Sequence, residues 1–144
     1  MNLENQQLLF SLFHDGSILN IKKDSHNYTF RVDILYLAER IHPDFSYLNV
    51  RLVDVKEFIL QKIEYNEVVT DIDQMNQFDI EVLQAEIEDD GIKIFCSYNR
   101  GDFSYLTIKA DDIQVYDPEW NAIELAQLEQ VTRGYWEDFA KRGE

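Results

Sequence analysis

An α+β fold is what the sequence predicts: one antiparallel β-sheet of about six to eight strands with a C-terminal meander, a short N-terminal helix and a longer C-terminal helix. Three observations lead there. Apolar residues three to four apart gather towards the two ends, at Leu8, Leu9, Leu12 and Phe13 and again at Leu125, Leu128, Val131, Tyr135 and Phe139, which is helical spacing. Between them the spacing falls to two, as in Tyr28, Phe30, Val32 and Ile34, which suits strands with one buried face. Clusters of turn formers separate these runs, at residues 24 to 27, at Asp90 and Gly91, and at residues 99 to 102, and tight turns join antiparallel neighbours.

The elements follow in order. Residues 3 to 13 form the first helix, ended by the turn His14, Asp15, Gly16, with Gly16 placed where a helix end commonly takes a left-handed residue. Residues 17 to 23 and 28 to 35 are expected as a hairpin, and one helical turn over residues 37 to 41 stops before Pro43. Leu48, Val50 and Leu52 alternate with Asn49 and Arg51 as a third strand, and residues 58 to 63 read as a further strand. Residues 64 to 77 show almost no periodicity and are expected to form a long surface loop.

In residues 78 to 88 the apolar positions are Phe78, Ile80 and Val82, then Leu83, Ala85 and Ile87, so the alternation slips by one. A β-bulge there keeps both sets inward and gathers Asp79, Glu81, Glu86 and Glu88 on the outer face. Residues 92 to 98 and 103 to 109 complete the meander, and Ile113 and Val115 mark a last short strand. Asn121 followed by Glu124 resembles a capping box ahead of the long helix. The stripe on that helix predicts Tyr135 and Phe139 largely buried on the sheet, while Gly134 within it costs about 1 kcal/mol relative to Ala and marks a close contact or a bend.

With 144 residues, 45% hydrophobic and 13% aromatic, the chain buries one substantial core, so residues 1–144 are read as a single globular domain. Eight Tyr and nine Phe argue against the disorder that acidic composition otherwise brings. The first 13 residues lack the cationic start and unbroken apolar run of a secretory signal, and no stretch reaches the ~20 apolar residues of a bilayer span. A cytoplasmic location without membrane contact is the expectation. Cys96 is the sole cysteine, in phase with Ile92 and Ile94, where a thiol serves as a small core hydrophobe.

The residues spell no catalytic constellation. Glycines at 16, 91, 101, 134 and 143 spell neither a dinucleotide-binding fingerprint nor a P-loop. His14, His26 and His42 stand in turns without metal-ligand spacing. Asp71, Asp73 and Asn76 hint at a calcium loop, but Asn76 stands where Gly is needed and Val82 where a bidentate Glu is needed. Arg100, Gly101 and Asp102 are read as turn residues. No enzyme activity, cofactor or metal is expected. His14 beside Asp15 is the best alternative, as part of an enzyme or small-ligand site; the bland account has both satisfying backbone groups at the helix end. A purely structural module is the third reading.

Charge is the informative feature. Residues 64 to 92 hold ten carboxylates and no Lys or Arg, and residues 63 to 132 carry 17 acids against 3 bases within a net charge of −15. Such a field repels nucleic acid and anionic lipid and draws in a basic protein. The predicted partner-binding residues are Asp79, Glu81, Glu86, Glu88, Asp89 and Asp90, with Tyr65, Met75 and Phe78 interleaved as apolar anchors. The segment Leu12, Phe13, His14, Asp15, Gly16, Ser17, Ile18, followed by sheet and a C-terminal helix bearing Tyr135 and Trp136, resembles small bacterial domains whose acidic members include immunity proteins of toxin systems. That resemblance implies a binding protein without catalysis that neutralises a toxin, often a basic nuclease, by masking its active or substrate surface.

Overall fold

The computed structural model describes residues 1–142. In chain order the elements are α1 (Leu3–Leu12), β1 (Ser17–Asp24), β2 (Asn27–Asp33), α2 (Leu35–Ile41), β3 (Tyr47–Lys62), β4 (Glu67–Val69), α3 (Ile72–Met75), β5 (Ile80–Glu88), β6 (Gly91–Asn99), β7 (Asp102–Tyr116), β8 (Ala122–Ile123) and α4 (Leu125–Arg142). The fold is α+β, an eight-stranded antiparallel sheet with a short N-terminal and a longer C-terminal helix. Its pairings close on themselves: β1 with β2, β2 with β3, β3 with β7, β7 with β6, β6 with β5 and β5 with β1. Six strands thus form a barrel, with β4 added beside β3 and β8 beside β7.

The weakest seam is β1–β5, which has two residue pairs, Ser17 with Glu81 and Ile18 with Ile80. Val82 extends it by donating to the Gly16 carbonyl and accepting from Asp15 N–H, both at 2.8 Å, and side chains add to the ladder on either side. Asn76 bonds both backbone groups of Ile21 at 2.8 and 2.9 Å. On β5, Gln7 Nε2 donates to the Ala85 carbonyl at 3.2 Å and His14 Nδ1 lies 2.7 Å from the Leu83 carbonyl. Strand edges left bare invite association, so these contacts protect the fold as well as close it.

Leu9, Phe10 and Phe13 of the N-terminal segment are fully buried against inward-facing Phe30, Val32, Val50, Leu52, Ile94 and Leu106. The Phe10 ring sits 5.6 Å from Phe13 and 6.3 Å from Phe30. Each large side chain so buried contributes about 1.5–3 kcal/mol. Cys96 belongs to the same core, and burial pushes its thiol up to about 12. No helix among the described residues is long and apolar enough to cross a membrane.

Several expectations need correction. The strand expected at Leu48, Val50 and Leu52 and the one expected over residues 58 to 63 are a single strand, β3, carried past Asp54 (φ 51°) by an irregularity between Val55 and Glu57. The hairpin tip pins that kink: the Asn27 side chain accepts from Asp54 N–H, and the His26 carbonyl accepts from Val55 N–H. The last short strand is likewise part of β7. Residues 64 to 77 are no plain loop, because Val69 and Met75 bury and hold β4 and α3 in place. The residue before α4 is Glu124, whose carbonyl accepts from Leu128 N–H, whereas Asn121 bonds Asp117.

The glycines are also used differently from the expectation. Asp15 (φ 68°) is the left-handed residue after α1; Gly16 is needed because a Cβ there would lie 2.8 Å from Val32 Cγ1 and 2.9 Å from the Phe13 carbonyl. In the β5–β6 turn Asp89 has the positive φ (55°), while Gly91 opens β6 where a Cβ would meet the Ile108 carbonyl at 2.7 Å. Along α4, Leu128 and Thr132 are buried, Tyr135 is half-buried and Phe139 is 56% exposed. Contrary to expectation the last turns do not lie on the sheet, because α1 already covers its inner face and α4 packs on α2 and α1. The Tyr135 ring lies 4.6 Å from that of Tyr36, tilted by 39°, and Arg40 donates to Asp138 at 2.6 Å.

Candidate functional site

The outer faces of β5, β6 and β7 form the candidate site. In β5 the register slips between Val82 and Gln84, so Ile80 and Val82 face inward before the bulge and Ala85 after it. Leu83 is the extra residue, half-buried, and Ile87 near the strand's end is 42% exposed, so neither is the core residue the alternation suggested. The same slip keeps the acids outward: Glu81 stands opposite Ser97 and Glu86 opposite Lys93, with Gln84 between them opposite Phe95.

One row continues across the sheet, from Gln84 to Phe95, Tyr105 and Gln61. In the next row Ser97 stands opposite Phe103. Phe95 stacks on Phe103 with centroids 5.3 Å apart and lies 5.7 Å from Tyr105. These three aromatics hold one another in place, and Phe103 is 39% exposed. Lys93 rests 4.1 Å above the Tyr105 ring while its ammonium reaches Glu88 at 3.1 Å. A shallow cleft of about 180 Å³ runs between Gln84, Glu86, Lys93, Phe95 and Tyr105.

The six predicted acids fall on one strip, from the start of β5 to its turn, but in two electrostatic groups. Glu88 pairs with Lys93, and Asp90 pairs with Lys109 at 3.1 Å, which also holds Glu57 at 3.3 Å. The hydrogen bond that Asp90 accepts from Lys109 lowers its carboxyl below the ordinary value, and the bonds that Lys109 donates to Asp90 and Glu57 raise Lys109. Asp79, Glu81, Glu86 and Asp89 have no cationic partner among the described residues. The unneutralised field therefore centres on the part of β5 beside the aromatics. Of the expected anchors, Met75 is fully buried and Phe78 packs 5.4 Å from Tyr98, which leaves Tyr65, 66% exposed. Phe95, Phe103 and Tyr105 were missed; their signal is that they fall in the outward phase, opposite to Ile94, Cys96, Ser104 and Leu106.

The His14–Asp15 turn is built as a staple. His14 Nδ1 faces the carbonyl of the bulged Leu83, its Nε2 lies 3.4 Å from Asp15, and Tyr36 donates its phenol hydrogen to the His14 carbonyl at 2.6 Å. Burial, with the charge of Asp15 next, pushes the Tyr36 phenol up to about 12. In the same manner Asp71 caps α3 by accepting from Asp73 N–H. No family model, curated protein sequence or solved structure matches the chain.

Proposed function

We propose that this chain is a binding domain, without catalysis, that covers a basic protein with the outer face of β5, β6 and β7. The observation that carries the reading is an outward-facing aromatic strip, with Phe103 exposed and Phe95 and Tyr105 half-buried beside it, next to carboxylates, Glu81 and Glu86, that have no lysine or arginine partner among the described residues. Aromatic anchors supply most of the affinity at protein interfaces, and charge of one sign around them speeds encounter and selects the partner. A basic bacterial toxin met in the cytoplasm is the partner that the resemblance of residues 12 to 18 suggests.

The test retains proteins from an extract of the source cell on immobilised wild-type chain and on a Phe103→Ala, Glu86→Lys variant with an unchanged melting curve. The wild type is expected to retain a basic protein that the variant loses. Identical retention by both would overturn the reading.

A further inference from the structure

We propose a second site, independent of that reading, in a cleft on the outer face of β1, β2 and β3: it binds a monosaccharide carrying a carboxylate or a phosphate. The cleft measures about 170 Å³ and is lined by Asn20, Lys22, Thr29, Arg31, Tyr47, Asn49 and Trp120, with a further contribution from Phe30. Pockets for drug-sized ligands run from about 300 to 1,000 Å³, so this one holds a single ring. Its amides and hydroxyls call for a hydroxylated ring rather than a flat apolar one.

Three features point to a ligand. First, two basic side chains, Lys22 and Arg31, line the cleft in a chain of net charge −15, and Asp33 offsets the charge of Arg31 alone. Lys22 has no acidic partner among the described residues. Arg31 is held in place from two sides, 4.7 Å over the Tyr47 ring and against Asp33 through Nε at 2.8 Å and Nη2 at 3.2 Å. The Nε–H does not point along its contact and finds no other acceptor among the described residues. A guanidinium so fixed still has donors on its far edge for an oxyanion.

Second, the aromatic wall is held in place against its own preference. Trp120 is 54% exposed and has φ 64°, a left-handed conformation that costs an L-residue roughly 1–2 kcal/mol. Asp117 enforces it: its carboxylate accepts from Glu119 N–H, Asn121 N–H and Asn121 Nδ2, and its carbonyl accepts from Trp120 N–H. The Tyr116 ring supports the indole from 5.5 Å. Asn20, on the opposite wall, is left-handed as well, at φ 56°. Strain held by surroundings in this way concentrates at binding sites. Third, Asn49 is anchored by donating to the Asp117 carbonyl at 3.1 Å, which fixes an amide beside the indole for a ligand hydroxyl.

Calorimetric titration of the full chain with glucuronate, glucose 6-phosphate, glucose and inorganic phosphate tests the proposal. Glucuronate or glucose 6-phosphate is expected to bind saturably, about tenfold or more tighter than glucose or phosphate. Lys22→Gln and Trp120→Ala, both at exposed positions, are each expected to weaken that binding by about tenfold, while Trp136→Ala on α4 leaves it unchanged. No saturable binding of either anionic sugar, equal binding of glucose or phosphate, or indifference to both cleft variants would overturn it.

Discussion

Where the β5 ladder slips, the carbonyl of Leu83 is left over, and the His14 ring sits 2.7 Å away to meet it. Tyr36 then bonds the His14 carbonyl at 2.6 Å, so one half-buried phenol secures the turn that secures the bulge. Tyr36→Phe removes that bond and is expected to cost about 1 kcal/mol in denaturant unfolding. The phenol is raised from 10.0 to about 12, so the folded state favours its neutral form. Its contribution is whole below pH 10 and is lost as pH rises towards 12. A spectrophotometric titration should show a tyrosine ionising near pH 12 that Tyr36→Phe abolishes; an unchanged curve would contradict the assignment. Sequence pointed to these positions without giving their reasons. Gly91 looked like a turn residue, yet its constraint is the Ile108 carbonyl of the next strand, which only the folded sheet brings to 2.7 Å.

The bulge in β5 was legible because a one-residue slip in alternation leaves a visible mark: two apolar residues, Val82 and Leu83, in succession. The kink in β3 was not. Asp54 and Lys56 there interrupt the apolar run in a way that resembles a loop, and only pairing with β7 along most of its length shows one strand. The stretch 64 to 77 failed for a related reason, since a single buried residue each, Val69 and Met75, anchors β4 and α3 and produces no period. For α4 the spacing was right and the docking wrong, because periodicity reports a face and not what the face meets. Leu128→Ala is therefore expected to cost about 2–5 kcal/mol, whereas Phe139→Ala should stay within about 0.5 kcal/mol, both read from denaturant melts. Gly134 has an ordinary φ, and among the described residues an added Cβ would meet Arg40 Nη1 alone, at 3.5 Å. Gly134→Ala should accordingly stabilise by about 0.5–1 kcal/mol; a loss of stability would show that α4 sits closer to α2 than described.

Closure of six strands into a barrel gives the molecule an outside with two characters: an acidic, aromatic strip over β5, β6 and β7, and a small polar cleft over β1, β2 and β3 that holds Lys22 and Arg31. The acidic strip could be read from the sequence because charge needs no geometry. Its aromatic half could not, since Phe95 and Tyr105 become neighbours only through the β6–β7 register. Nor did the sequence reveal that Lys93 and Lys109 occupy Glu88 and Asp90, which shifts the active part of the field to Glu81 and Glu86. The central claim is that this field steers a basic partner onto the strip. The direct measurement is the association rate, at low and high salt, of the basic protein retained by the wild-type chain, compared with the Glu81→Lys, Glu86→Lys variant. The account predicts association slower by about tenfold or more at low salt and a flatter salt dependence for the variant, with stability nearly unchanged. Equal rates and equal salt slopes would contradict it and leave the strip as a solvated surface.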